Sequence, residues 1–393
     1  MTLKDKSNLI YMDYAATTPV DPRVKKAMEP YFLDIFGNPS SIHGYGQDAI
    51  EGIETARAQV AGLIHADPTE IVFTGSGTES DNAALLGVGN ALRPKGGHIV
   101  TTAIEHHAVL ACCEFMAQQD FEITLVPVGR DGIVSLSEIE RALTDRTFLI
   151  SVMHANNEIG TIQPIAEIGA LAKRRGVLFH ADAVQTFGHL PIDVQAMNLD
   201  LLSLSGHKLY GPKGIGALFI RKGTPFEPLI HGGGQENGRR SSTHNVPGIV
   251  GLAKAAELAG VEMESENKRI LSMREKLLRD ILANLKDVHL NGHPSQRLAN
   301  NINLSIDHVE GEALIMNLDL EGVAASSGSA CSSSSNEASH VLRALGLSTE
   351  LARGSLRLTL GRYTTQSECD RVVAALIKTV ERLRSLSSFG RGS

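Results

Sequence analysis

Ser205-Gly206-His207-Lys208 lies between the apolar run Leu201-Leu202-Ser203-Leu204 and the glycine-rich Tyr210-Gly211-Pro212-Lys213-Gly214-Ile215-Gly216. The apolar run reads as a buried strand. A buried ammonium is costly, so a lysine at the end of such a strand is expected to lose its proton and become a nucleophile for carbonyl carbon. That is the chemistry of a Schiff-base lysine. Most lysines are solvated surface residues, so this reading of Lys208 requires partners elsewhere in the chain.

On the N-terminal side, strand and helix text alternate. Strand-like runs at 70–74, 98–102, 122–127, 148–153, 177–180 and 201–204 are separated by helical stretches that begin at Asp81 and at His107 and that cover 165–175. A further helix is expected over 47–64. Such alternation predicts an α/β fold with a mostly parallel, buried central sheet and helices on both faces. Ligands of these sheets bind at the carboxyl ends of the strands. After residue 260 the pattern changes: Ile270, Met273, Leu277, Leu278, Ile281 and Leu285 recur at helical spacing. Strand text at 301–306 and 355–360, helix text at 311–320 and a closing helix predict a smaller α+β domain. The expected division is a large domain over 16–260 and a small one from 1–15 and 261–393. Residues 385–393, rich in Ser and Gly, are expected to be disordered.

The chain has 393 residues, 42% hydrophobic and 21% charged, enough for two domains and a large core. Its 37 basic and 44 acidic residues give a net charge of -7 without a strong basic run, which argues against a nucleic-acid partner. Four cysteines without C-x-x-C spacing suit a reducing compartment. No apolar run approaches the roughly 18 residues of a membrane helix, and no leader core follows the first residues. These features predict a soluble, cytoplasmic protein with no membrane contact.

Four loops at strand ends carry the chemistry. Gly75-Ser76-Gly77-Thr78-Glu79-Ser80 opens a helix, and its N–H groups, helix dipole and hydroxyls suit an anion, most naturally a phosphate; a plain capping turn would read the same. It is neither a dinucleotide fingerprint nor a P-loop. Glu105-His106-His107 could lay an imidazole over an aromatic cofactor, or be structural. His154-Ala155-Asn156-Asn157-Glu158-Ile159-Gly160 offers amides for a ring oxygen and a substrate carboxylate. His180-Ala181-Asp182-Ala183-Val184-Gln185 puts a carboxylate at the end of an apolar strand, where it needs a cation. The ring nitrogen of pyridoxal phosphate (PLP) is such a cation, and PLP sites pair it with a Schiff-base lysine. Phosphate loop, His, Asn, Asp and Lys, in that order at strand ends, jointly point to PLP.

The same loops carry a family resemblance. Asp13-Tyr14-Ala15-Ala16-Thr17-Thr18-Pro19, Thr74-Gly75-Ser76-Gly77-Thr78-Glu79-Ser80, Glu105-His106, Asn156-Asn157-Glu158-Ile159-Gly160, Asp182-Ala183-Val184-Gln185 and Ser205-Gly206-His207-Lys208 form its first half. His231-Gly232-Gly233-Gly234-Gln235-Glu236, Arg240-Ser241-Ser242-Thr243, Ser327-Gly328-Ser329-Ala330-Cys331 and Leu356-Arg357 complete it. Together they resemble the NifS/IscS-type cysteine desulfurases of the aminotransferase class V group, which are fold-type I PLP-dependent transferases.

The resemblance implies Lys208 as the Schiff-base residue, with Ser205, His207, Gly77 and Thr78 at the phosphate. It implies His106 stacked on the ring and relaying protons, Asp182 at the ring nitrogen, Gln185 at the ring oxygen and Asn157 touching cofactor and substrate. Arg357 would clamp the carboxylate of L-cysteine by two parallel hydrogen bonds. Thr243 would reach the phosphate of a neighbouring subunit, which implies a homodimer with shared active sites. Two departures stand out: Gly77 occupies a position where Ala is common, which should be tolerated, and Ser242 replaces a Gly that often precedes the bridging Thr.

Cys331 lies in a run of small polar residues, 326–335, that cannot bury enough apolar area to order itself. A linker with an incidental thiol would look similar. Within the resemblance, Cys331 is the nucleophile that takes sulfur from the substrate as a persulfide and passes it to acceptor proteins such as an iron-sulfur scaffold. No intrinsic metal site is expected; Cys331 would at most share an iron-sulfur cluster with that scaffold. Cys112, Cys113 and Cys369 sit in helical text as packing residues. The alternative reading is a selenocysteine lyase or another class V PLP aminotransferase.

Overall fold

The computed structural model describes residues 9–92, 97–327 and 338–386. After a short strand, β1 (Ile10–Tyr11), the chain builds β2 (Ile71–Thr74), β3 (His98–Thr102), β4 (Glu122–Val126) and β5 (Thr147–Ser151). β6 (Leu178–Asp182), β7 (Leu201–Ser205) and β8 (Gly216–Ile220) complete a seven-stranded sheet ordered β2-β8-β7-β6-β5-β3-β4. Four of its six neighbour pairings are parallel, and only β8 runs antiparallel to both of its neighbours. The fold is therefore α/β with a mostly parallel central sheet, as the alternation implied.

Both faces of the sheet are covered. In β2, Ile71 and Phe73 point to one core, with Ile53, Ile168 and Leu252 from the helices Gly44–Leu63, Ile165–Arg175 and Val246–Asn284. Val72, between them, points to the other, with Leu85, Val109 and Met116 from Gly77–Leu92 and His107–Ala117. This period-two alternation is what a strand buried on both sides must show.

A second, antiparallel sheet is made by β9 (Val288–Leu290), β10 (Asn301–Ile306) and β12 (Ser355–Thr359), while β11 (Val323–Ala324) pairs with β1. Ile302, Leu304, Leu356 and Leu358 pack there against Leu277 and Ile281 of the long helix and Leu376 of Gln366–Leu386. The 39-residue helix Val246–Asn284 thus serves both cores, contributing residues up to Ala259 to one and from Ile270 to the other.

Several boundaries differ from the sequence expectation for local reasons. The helix expected from Asp81 starts at Gly77, because Ser76 Oγ caps it by accepting from Glu79 N at 3.1 Å. β6 continues to Asp182 rather than stopping at His180. β8 was not expected at all, since the glycines preceding it read as loop. The long helix begins at Val246, capped by Asn245, and its first half is Gly- and Ala-rich and buried, so it shows no amphipathic stripe. The closing helix runs to Leu386, into the stretch expected to be disordered. Residues 387–393 and Cys331 lie outside the described residues. Among the described residues, no helix is long and apolar enough to cross a membrane.

Candidate active site

Loops at the carboxyl ends of β2, β3, β5, β6 and β7 converge on a cavity of about 310 Å³. Lys208 ends the short turn that follows fully buried β7. Its Nζ donates to the carbonyls of Ala15 and Ala16 at 2.5 and 2.8 Å. Gln185 Nε2 donates to the same Ala15 carbonyl at 3.0 Å, and His207 Nδ1 lies 3.1 Å from Thr17 Oγ1. Ala15 and Ala16 therefore form part of the cavity wall through their backbone, and no side-chain signal in the sequence announces that role.

Asp182, the last residue of β6, is buried, and its Oδ1 accepts from Val184 N at 2.8 Å. Burial raises its pKa, while the Val184 N–H and the charge of Lys208 oppose the rise. His106 caps the helix His107–Ala117, with Nδ1 accepting from Ala108 N at 3.1 Å. Burial, aided by Lys208 and His107, pulls its pKa down to about 4. The ring is then neutral near pH 7, and with Nδ1 engaged as acceptor its hydrogen belongs on Nε2. Gly77 and Thr78 form the first turn of their helix, where N–H groups have no intrahelical partner.

Arg357 comes from β12 of the second sheet and is 2% exposed. Nη1 donates to the Asn157 carbonyl at 3.0 Å, and Nη2 pairs with Asp13 Oδ1 at 2.8 Å. Asn303 and Asn301 hold the Glu158 carbonyl, and Arg297 holds that of Ile159. The loop over Asn157 is thereby tied to the second sheet.

Ten residues singled out from the sequence line this one cavity: Gly77, Thr78, His106, Asn157, Asp182, Gln185, Ser205, His207, Lys208 and Arg357. Thr243 does not; it is exposed, on a segment fastened by Glu236 to Arg57 at 2.7 and 2.9 Å and by Arg240 to Glu79 at 2.8 Å. Ser242 beside it has a φ of 150°, a conformation that glycine adopts readily and serine rarely. Sequence reading missed Asp81 in the wall, and it gave no role to Asp13 and Glu105, which hold the lining residues Arg357 and Met153 from behind. Asp13 stood inside a quoted motif, but nothing there indicated its partner.

The aminotransferase class-V family profile matches residues 10–372, and the chain belongs to that family. A cysteine desulfurase IscS of Dictyoglomus turgidum is 52% identical over 380 residues, which cover 97% of this chain and 96% of the relative. The solved structure of a NifS-like protein superposes with a TM-score of 0.90 at 38% identity, covering 95% of this chain and 100% of that one. A structure of SspA in complex with cysteine matches at a TM-score of 0.81 and 39% identity, over 91% of this chain and 100% of that one.

Proposed function

We propose that the chain is a PLP-dependent cysteine desulfurase: L-cysteine and the Cys331 thiol give L-alanine and a Cys331 persulfide, which is passed to an acceptor protein. The observation that carries this reading is the placement of Lys208 and Asp182 at the ends of adjacent strands in one buried cavity, with Arg357 in its wall, in a chain half identical to cysteine desulfurases.

The residues present fit the cofactor. A buried carboxyl whose pKa burial raises calls for a cation, and a ring nitrogen that carries a proton supplies one. Lys208 would hold the cofactor's aldehyde carbon. Gly77, Thr78, Ser205 and His207 would hold its phosphate, Asp182 the ring nitrogen and Gln185 the ring oxygen. When bound, PLP supplies an electron sink for bonds broken at the substrate's alpha carbon.

The chain's own residues do the rest. Nζ of Lys208, facing the Ala15 and Ala16 carbonyls, can hold a proton as an ammonium with two acceptors at hand. His106 presents Nε2–H to the cavity as a neutral donor. Arg357 meets the substrate carboxylate, and Asn157 contacts both cofactor and substrate. Cys331 attacks the substrate sulfur as a thiolate. The described residues on either side of its segment reach the cavity wall: Ser326 bridges to Arg357, and Ser339 Oγ donates to Glu158 at 2.5 Å.

The reading includes a homodimer. Phe32, Leu33, Phe36, Ile42 and Tyr45 stand exposed, Ile42 at 95%, an apolar surface suited to a second copy. Thr243, outside its own cavity, would serve that copy's phosphate. It also includes a cytoplasmic setting, in keeping with the free thiols of Cys112, Cys113 and Cys369, and a division into a large domain over 16–260 and a small one from 1–15 and 261–393.

The test is incubation of the purified protein with L-cysteine, following alanine and sulfide with and without reductant. Cys331→Ser should keep the yellow cofactor absorbance and form no alanine, while Lys208→Ala should lose that absorbance. Normal turnover by Cys331→Ser would overturn the assignment.

A further inference from the structure

Glu236 is buried at a φ of 50°, and its carboxylate accepts four hydrogen bonds, two on each oxygen. Oε2 accepts from Arg57 Nη1 at 2.7 Å and from Phe73 N at 2.9 Å, while Oε1 accepts from Arg57 Nη2 at 2.9 Å and from His244 Nε2 at 2.7 Å. Three of these bonds close the fold locally. β2 is an edge strand, and Glu236 together with Arg57 answers its outward Phe73 N–H and its Ile71 carbonyl, the latter at 2.7 Å. The fourth bond does nothing for the strand. It fixes the residue next to Thr243.

A carboxylate only accepts, so His244 Nε2 carries the hydrogen of that bond. Nδ1 of the same ring is buried and meets no hydrogen-bond partner among the described residues, a cost that a phenylalanine in its place would not bear. What the imidazole contributes is therefore its one bond to Glu236. On the other side of Thr243, Ser242 N donates to Gln235 Oε1 at 3.0 Å, and Asn245 caps the helix Val246–Asn284 by accepting from Gly248 N at 3.1 Å. The residues flanking Thr243 are thus tied down, while Thr243 itself is exposed. The anchor is the helix Gly44–Leu63. Arg57 lies on it, and Tyr45, part of the apolar surface assigned to a second copy, lies about 18 Å away along the same axis.

We propose that His244 is a positioning residue for the neighbouring protomer's site: held by the carboxylate that Arg57 fixes to the helix Gly44–Leu63, it sets the direction in which Thr243 offers its hydroxyl to the phosphate of the second copy's PLP. This rests on the reading of Thr243 and of the homodimer given above. His244→Phe fills the space of the ring without its donor, and His244→Leu serves as a second variant should that chain fold poorly. Each should retain PLP on dialysis about tenfold less well than wild type, as should Thr243→Val. His244→Gln, which can still donate, should stay within about threefold of wild type. Because His244 acts through Thr243, combining His244→Phe with Thr243→Val should be no weaker than Thr243→Val alone.

Mixed dimers, purified through a different tag on each copy, tell in whose site His244 acts. With His244→Phe on one copy and Lys208→Ala on the other, the one remaining Lys208 belongs to the His244→Phe copy, and its phosphate is met by the intact His244 and Thr243 of the other. Retention, read by the yellow absorbance, should return to the wild-type level per site. A mixed dimer as weak as the His244→Phe homodimer would overturn the proposal, as would additive losses in the double variant. If Thr243→Val loses cofactor and the His244 variants do not, the proposal alone falls. If Thr243→Val retains PLP like wild type, or the chain sediments as a monomer, the reading of Thr243 falls first and takes the proposal with it.

Discussion

A Cβ atom built on Gly77 would lie 2.6 Å from Val184 Cγ2 and 3.4 Å from Ser205 Cβ. The space an alanine methyl would need is taken by a β-branched side chain whose χ1 has little freedom. Glycine at this position is thus matched to valine across the cavity. Gly77→Ala is expected to push the first helical turn or Val184 aside, costing about 1–3 kcal/mol as an overpacked contact and weakening PLP retention. The double variant Gly77→Ala with Val184→Ala should recover most of the loss. Spectrophotometric titration with PLP checks both; equal affinities for wild type and Gly77→Ala would show that the loop yields freely.

Asp13 holds Arg357 in place before any substrate arrives, at 2.8 Å and with the arginine side chain only 3% exposed. Removing the carboxylate leaves a buried guanidinium with the Asn157 carbonyl and little else. Asp13→Ala should therefore raise KM for L-cysteine by about tenfold, with a smaller change in kcat. Steady-state kinetics decide the matter, since a fall in KM would mean that Asp13 competes with the substrate carboxylate instead of orienting its receptor.

The pH dependence of stability has a defined sign. Burial pushes the Glu105 carboxyl from 4.5 up to about 8, although Thr102 and the Met153 N–H favour its ionised form. Across that interval the folded chain holds a proton that the unfolded chain has lost, so rising pH destabilises the fold. His106 and His154, pulled down from 6.5 to about 4, act in the opposite sense but only below 6.5. Glu158, raised to about 7, adds to the Glu105 effect in the lower part of the range. The thermal midpoint of the cofactor-free protein should accordingly fall from pH 6.5 to 8, and Glu105→Gln should flatten that fall. The contribution is up to about 1.4 kcal/mol per pH unit. Parallel midpoint curves for the two proteins would remove Glu105 from this role.

Ser242, at a φ of 150°, occupies backbone space that suits glycine. Ser242→Gly should relieve about 1 kcal/mol of strain and raise the thermal midpoint, with PLP retention in the isolated protomer unchanged. Calorimetry of the variant tests this, and a lower midpoint would mean that the Ser242 N–H bond to Gln235, at 3.0 Å, holds the loop in this shape without strain.

The parts of the fold legible in the sequence were those with one dominant local signal. β3, the helices His107–Ala117 and Ile165–Arg175, and β10 fall where periodicity put them, because apolar runs there end at clear capping or turn residues. Lys208, Asp182, His106 and the Gly77-Thr78 turn could be read because each closes a strand of one sheet, so a single topological rule collects them. What escaped was relational. The antiparallel β8 hid behind glycines, and the Ala- and Gly-rich first half of Val246–Asn284 lacks a stripe because it is packed on most of its surface. The partnership of Asp13 with Arg357 spans 344 residues, and no local pattern encodes it.

That separation bears on when the protein can become active. Met12 and Ala15 are bonded to Thr359, and Asp13 to Arg357, so residues 12–15 are locked by β12, which is made some 340 residues later. During synthesis the large sheet can assemble while the ribosome is still translating, but the wall that receives Lys208 stays open until β12 has emerged. Loading is thereby deferred until β12 has been made, and a product terminated before it would carry the lysine without the chamber that puts it to use.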